Sequence, residues 1–328
     1  MIFQFIPYWG DEEKKAVADV LETDFLNEHK TVREFEKQFA EFVGAKHCVT
    51  VTSGTIALYL ALCTKIDKIK DWNIPNHDGI FSYNACLGVK GNPTLCDVNR
   101  HGVMETIENS VIVQANGRVV ENGTIEDCSQ AIDYHGKDMI STYSFASTKH
   151  ITTAGQGGAI CCDDDETFDM LSRLKDHGRN DRQNLKPMSD TFDRWGMNFK
   201  FTEIQAGFGL AQLKKLPDRI KRFSEIYHIY KDVIGDKVLW DSVEPKWYVD
   251  VFVKNPDKIK AHLQSKNIAS RKFPKPLSLQ PCCGVSEDSK FPISMARYKT
   301  GLYLPSTTNL TDEEVKTIAE AVVEAVGL

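Results

Sequence analysis

The stretch HCVTVTSGTIALYLALC, residues 47–63, carries the reading on which the fold turns. Residues 48–52 form a short run rich in β-branched side chains, Ser53-Gly54-Thr55 has the composition of a turn, and the residues that follow are almost wholly apolar. A strand, a turn and a buried helix in succession make a unit suited to anion binding, because the first amides of a helix lack partners and sit at the positive end of its dipole. Ser53 or Thr55 serving only as an N-cap explains the same letters, so the triplet alone leaves phosphate binding open.

Working outward, DEEKKAVADVLETDFL from Asp11 places Ala16, Val17, Val20 and Leu21 on one helical face behind an acidic first turn. KTVREFEKQFAEFVG spaces Val32, Phe35, Phe39 and Phe42 for a second helix, with Gly44 as its stop. Short apolar, strand-like segments follow at 79–81, 94–96, 111–113 and 124–125, and IEDCSQA sets Asp127 just past the last of them. Ligands of open α/β sheets sit beyond the carboxyl ends of strands, which makes Asp127 a candidate site residue. Residues 157–162 read as a further strand and ETFDMLSRLKDHG as a helix. Residues 198–233 read as two helical stretches interrupted at Pro217. Beyond about residue 235 the pattern changes to a smaller α+β unit: WYVDVFV reads as a strand, PDKIKAHLQSKN as a helix, and TDEEVKTIAEAVVEAV as a terminal helix capped by Thr311. The division expected is a large domain over 1–216 and a small one over 217–328.

The chain of 328 residues, 41% hydrophobic and 26% charged, has the composition of a globular protein. Its net charge of −6 argues against non-specific nucleic-acid binding, which shows as a basic domain. No window approaches the roughly 18 apolar residues of a membrane helix, and the N-terminus lacks the basic start of a leader, so a cytoplasmic protein is expected. The nine cysteines include two adjacent pairs and no C-x-x-C spacing, which fits reduced thiols better than a disulfide framework or a zinc site. No metal site is expected.

STYSFASTKHITTAGQGGAI, residues 141–160, places Lys149 between small hydroxyl residues and a glycine-rich turn, away from any charged face. An isolated lysine is most often an exposed side chain. Here it joins a Ser-Gly-Thr helix start, an acid past a strand, and Ser144 five residues upstream. Pyridoxal phosphate needs such a set: a lysine to condense with its aldehyde, an acid facing the pyridine nitrogen, phosphate donors and an aromatic against the ring.

With these residues assembled, the chain resembles the DegT/DnrJ family of sugar aminotransferases over nearly its whole length. The motifs that carry the resemblance are PYWGDEEKKAV, VTSGTIALYLAL, IEDCSQA, YSFASTKHITTAGQGGAI, GMNFKFTEIQAGFGLAQL and YLPSTTNLTDEEV, in that order. The resemblance implies a type I aminotransferase fold, a mixed, mostly parallel sheet between helices with a small C-terminal α+β domain, in a homodimer with active sites at the subunit interface. It implies that Lys149 is the Schiff-base lysine, that Asp127 pairs with the ring nitrogen and that Gln130 lies near the ring hydroxyl. Gly54, Thr55 and Ser144 hold the phosphate, which Asn198 reaches from the partner subunit. For the stacking aromatic Tyr83 is preferred and Phe81 competes.

The sequence also departs from the family. Only a short segment links 111–113 to IEDCSQA where relatives have room for a crossover helix, so a trimmed edge of the large domain is expected. Lys200 stands where arginine is common, Ser278 where histidine is common, and Gln156 where glutamate is usual. The resemblance implies L-glutamate as amino donor and a nucleotide-linked keto sugar as acceptor. ITTAGQGG is similar to the turn of enzymes that aminate C4 of 4-keto-6-deoxy sugars, with C3 amination or a non-catalytic regulatory relative as the alternatives. A dehydratase of the family carries histidine in place of the lysine. Between 173 and 200, Arg173, Lys175, Arg179, Arg182, Lys186, Arg194 and Lys200 outnumber Asp176, Asp181, Asp190 and Asp193. That excess either steers a nucleotide diphosphate or is a solvated charged loop.

Overall fold

The first two helices form where the periodicity requires, α1 over Asp11–Leu21 and α2 over Lys30–Val43. Val32, Phe35 and Phe39 of α2 are fully buried, and Gly44 ends the helix at φ +82°, a conformation that costs glycine little. Leu21 departs from its expected face and is 56% exposed. The described residues of this computed structural model are 1–5, 8–77, 79–105, 107–121, 123–179, 191–284 and 288–327.

The decisive stretch folds as β1 (His47–Val51) and α3 (Gly54–Cys63), followed by β2 (Asp71–Pro75), α4 (Phe81–Gly88), β3 (Asn92–Cys96), β4 (Val111–Val113), β5 (Ile125–Asp127), β6 (Ser141–Ser144), β7 (Gly158–Cys162) and α5 (Asp165–Leu174). The central sheet has the order β1-β7-β6-β5-β4, and a parallel bridge from Asn73 to Ser110 carries it on to β2 and β3. All pairings are parallel except the two that β7 makes. This is an α/β fold with a mixed, mostly parallel sheet. Residues 79–81 are not a strand: β2 takes that place with Trp72 and Ile74 buried, and Phe81 starts α4.

Next, α6 (Glu203–Ile234) runs through Pro217 as one helix of 32 residues instead of two. Proline removes one amide bond from a helix. Pro217 itself is exposed, and packing on either side keeps the helix continuous. Leu213 and Leu216 belong to the core shared with α2 and β7, and Phe223, Ile226 and Tyr227 to that of the small lobe. The boundary expected at 216/217 thus falls inside one helix. The small lobe adds β8 (Asp250–Phe252), α7 (Pro256–Ser265), β9 (Arg271–Lys272), α8 (Pro292–Thr300), β10 (Gly301–Tyr303) and α9 (Asp312–Gly327), with an antiparallel sheet of order β8-β10-β9. Thr311 caps α9 reciprocally with Glu314, at 3.2 and 2.8 Å.

In place of a crossover helix, residues 114–121 form a strap that turns at Asn116 and Gly117, both at positive φ, and docks on the small lobe. Asn116 donates to the Tyr248 carbonyl and accepts the Tyr248 amide, each at 2.8 Å. Arg118 grips both oxygens of Asp250 at 2.8 and 2.7 Å. Both ionic side chains are almost fully buried. Breaking an isolated buried pair costs about 3–5 kcal/mol; here Asp241, 3.4 Å from Arg118, and Arg297, 3.8 Å from Asp250, leave either survivor partly compensated.

All nine cysteines are free, and Cys48 faces Cys161 across β1 and β7. Among the described residues no helix is long and apolar enough to cross a membrane, and no three His, Cys, Asp or Glu are grouped to hold a metal ion.

Candidate active site

Because β7 runs against both β1 and β6, strands β1, β5 and β6 point the same way and end at one edge of the sheet. That edge receives Ser53 and Gly54 after β1, Asp127 at the end of β5, and Ser144 at the end of β6. They line a cavity of about 380 Å³ between the sheet and the small lobe, of a size suited to a small-molecule ligand.

The end of the cavity at α3 is set by close packing of backbone. A Cβ on Gly54 would lie 2.6 Å from that of Ser144, and one on Gly158 would lie 2.5 Å from the backbone of Ser53. Glycine at both positions lets β6, β7 and the start of α3 approach until the helix opens straight into the cavity. Ser53 caps α3 by accepting the Ile56 amide at 3.3 Å, so its capping role is real. The amides of Gly54 and Thr55, one step earlier, have no acceptor within the helix and remain for an anion.

Asp127 is 5% exposed, and one of its oxygens accepts the Ser129 amide at 2.9 Å. That bond fixes the carboxylate at the cavity floor. Lys149 lies on a closed loop leaving β6. The loop is pinned where the Phe145 amide meets the Gly157 carbonyl (2.8 Å) and the Ser147 amide the Gly155 carbonyl (3.2 Å), and it turns at Ala154 and Gly155 with positive φ. Its Nζ lies 4.0 Å from the centroid of the Trp247 ring. Gln130 also lines the cavity and accepts the Asn116 amide at 2.7 Å, which ties it to the strap. A buried acid, a lysine on a constrained loop and a glycine-cradled helix start therefore face one space, and this donor set fits pyridoxal phosphate.

Tyr83 stands elsewhere. It is buried in the core beside α3, with its hydroxyl donating to the Cys283 carbonyl at 3.3 Å, and Phe81 lines the cavity instead. In a strand these two side chains would share a face; on α4 positions two apart point away from each other. A Cβ on Gly79 would lie 2.3 Å from the Phe81 ring, so the ring covers an α-carbon that only glycine leaves bare.

Asn198 is exposed on the segment before α6, outside the cavity of its own chain; its Oδ1 accepts the Lys200 amide at 3.4 Å. Lys200 is ion-paired with Asp176. Ser278 is buried, joined to Asn76 through its hydroxyl at 3.0 Å and its amide at 2.7 Å, and does not face the cavity. The basic excess near residues 173–200 is partly consumed: Lys175 is buried between Glu28 (2.7 Å) and Glu36 (3.0 Å), and Arg173 pairs with Asp169 and Asp193. Arg182, Lys186, Asp181 and Asp190 lie outside the described residues.

The wall opposite the sheet is the part that sequence reasoning misses. It brings Trp247, Arg271, Arg297 and Tyr303 from the small lobe together with Arg118 of the strap and His77 after β2. Burial, aided by the Arg297 and Arg118 charges, pushes the His77 imidazole down to about 3, so it is neutral. No spacing marks these residues, although Trp247 and Tyr248 do open a strand-like run.

The profile of the DegT/DnrJ/EryC1/StrS aminotransferase family matches residues 7–112 and 120–323, passing over most of the strap's turn. The chain is 26% identical to a GDP-perosamine synthase of Vibrio cholerae, with 98% of each chain covered. It is also 26% identical to a dTDP-4-dehydro-2,3,6-trideoxy-D-glucose 4-aminotransferase of Saccharopolyspora spinosa, covering 98% of this chain and 95% of the relative. Among solved structures, PseC of Helicobacter pylori, an aminotransferase involved in pseudoaminic acid biosynthesis, superposes with a TM-score of 0.87 at 22% identity and 99% coverage of both chains. An aminotransferase of the same family from Brucella abortus gives 0.88 at 21% identity, covering 97% of this chain and 96% of its own. With the site geometry and the match over nearly the whole chain, the protein belongs to the DegT/DnrJ/EryC1/StrS aminotransferase family and is an enzyme that works with pyridoxal phosphate.

Proposed function

We propose that the enzyme transfers an amino group from L-glutamate to C4 of a nucleotide-linked 4-keto-6-deoxyhexose, acting in the cytoplasm as a homodimer with shared sites. The observation that carries the transferase chemistry is the meeting of Lys149 and Asp127 in one cavity at the mouth of α3. The choice of C4 is supported by the relatives named for perosamine synthesis and 4-amination, and by the ITTAGQGG turn.

When bound, pyridoxal phosphate supplies an aldehyde that carries the amino group and a protonated ring that accepts electrons as a substrate C–H bond breaks. The chain's own residues do the rest. Gly54, Thr55 and Ser144 hold the phosphate with amide and hydroxyl donors, Phe81 covers one face of the ring, and Gln130 orients its hydroxyl. Asp127 keeps a proton on the ring nitrogen by placing a buried negative charge beside it. Lys149 moves the proton between neighbouring carbons through Nζ. Asn198 donates to the phosphate of the partner's site. One chain leaves Phe192, Trp195 and Met197 exposed beside Asn198, as expected of a face covered by a second subunit.

Incubation of the enzyme with L-glutamate and a panel of nucleotide-linked keto sugars, with the products assigned by mass and NMR, tests the reaction. A 4-amino product with 2-oxoglutarate released is expected; an amino group at C3, or none from glutamate, overturns the assignment. The shared site has its own test. Mixing a Lys149→Ala chain with an Asn198→Ala chain should produce heterodimers with one site intact and one carrying both lesions. Their activity should exceed that of either parent. No gain in verified heterodimers, given an impaired Asn198→Ala parent, would place Asn198 in its own chain's site.

A further inference from the structure

Trp247 is held in place from several directions. Its indole Nε1 donates to the Thr148 carbonyl at 3.0 Å, one residue from Lys149. Its neighbours are bracketed by the strap, Lys246 donating its amide to the Asn116 carbonyl and Tyr248 its amide to Asn116 Oδ1, both at 2.8 Å. Lys246 is ion-paired to Asp133 at 2.9 Å, and its carbonyl accepts His150 Nε2 at 2.7 Å. The Tyr248 ring lies against the indole, tilted by 37° with the ring centroids 4.1 Å apart. The neighbours' bonds fix the backbone that carries the indole, and turning the ring away from Lys149 would break its bond to Thr148 and its contact with Tyr248.

We propose that Trp247 is a positioning residue, whose ring face holds the Lys149 nitrogen and stabilises its ammonium form whenever that nitrogen is not bonded to the cofactor. This rests on the reading of Lys149 given above. An aromatic face is negative and attracts an ammonium, the more so in a partly desolvated cavity. When Lys149 takes a proton from the substrate carbon, the nitrogen lone pair becomes the new N–H bond and the C–H pair stays with the carbon framework. The positive charge so created lies over the indole until the same proton is returned to the next carbon. The other ionisable groups lining the cavity that Lys149 enters are His77 after β2, Asp127 on β5, Arg118 on the strap, and Tyr248, Asp250, Arg271, Arg297 and Tyr303 on the small lobe. Arg219 of α6, Tyr8 and neutral His150 lie on its other side. A substitution at Trp247 removes none of these charges, and fluorination of the indole also keeps its bond to Thr148, so a graded change in the titration of Lys149 with fluorination reports on the ring.

The test uses the dimeric holoenzyme in its pyridoxamine-phosphate form, in which the lysine nitrogen is free of the cofactor. Trace acetylation with acetic anhydride across pH, read at the Lys149 peptide by mass spectrometry, follows its protonation. Trp247→Leu should lower the midpoint by roughly 0.5–1.5 pH units, and Trp247→Phe by less. The glutamate half-reaction should slow by about three- to thirty-fold in kcat with little change in KM, and the α-deuterium isotope effect should rise. If the leucine variant does not fold, site-specific fluorinated tryptophans at position 247 weaken the ring's attraction without changing its shape, and each added fluorine should lower the midpoint further. A Lys149 midpoint that stays constant along the fluorinated series, or rises in Trp247→Leu, overturns the proposal. Borohydride mapping of the cofactor in the wild-type enzyme separates the two readings: attachment elsewhere than Lys149 removes the foundation, whereas attachment there with an unmoved midpoint removes only the role of Trp247.

Discussion

Replacing Lys149 by alanine should abolish transamination, lowering the rate by at least about 10⁴-fold, since a positioned proton-transfer group alone contributes up to that factor and the attachment point is lost as well. The fold should survive. Lys149 is half-buried on a loop whose pins are backbone bonds at 145, 147, 155 and 157, and the substitution touches none of them. The measurement is twofold: borohydride reduction of the wild-type enzyme followed by peptide mapping, which should find the cofactor on Lys149, and the absorbance of the variant, which should lack the bound-aldehyde band. Label on another lysine would show that Lys149 is only a loop residue.

Asp127→Asn should have the next largest effect. The amide keeps the shape and can still meet the Ser129 amide, but it removes the charge proposed to hold a proton on the ring nitrogen. Losing one partner of a buried ion pair costs about 3–5 kcal/mol, which in a barrier is a factor of hundreds to thousands. The half-reaction with glutamate should fall by that factor while cofactor retention, set largely by the phosphate cradle, persists. An unchanged rate would mean that a different acid faces the ring.

That Lys149 and Asp127 are candidates for one site is legible in the amino-acid sequence because the signals are local, a lysine without charged neighbours ahead of a glycine-rich turn and an acid closing a short strand, and both line one cavity. The strand–turn–helix unit at residues 47–63 is legible for the same reason, with β-branched and apolar runs punctuated by Ser-Gly-Thr. What fails depends on context beyond the window. Tyr83 and Phe81 exchange places once 81 onward is helical, and β2 escapes notice because DWNIP mixes polar residues with a proline. Pro217 does not end α6 because cores on both sides hold the helix together. The small-lobe wall is illegible in principle, since Asn116 and Tyr248, or Arg118 and Asp250, are 132 positions apart.

The strap's docking bears on how the molecule can move. Many two-lobed enzymes open and shut on a hinge, and the swing requires connections that slide or stretch. Here the segment between β4 and β5 is riveted to the small lobe by a reciprocal amide clamp at Asn116 and a forked ionic grip at Arg118, while α6 passes unbroken from one lobe into the other. Rotation of the lobes would shear both fastenings at once. The architecture is that of a preset mould, which admits substrates by the disposition of its side chains, and both lobes should unfold together in one cooperative thermal transition.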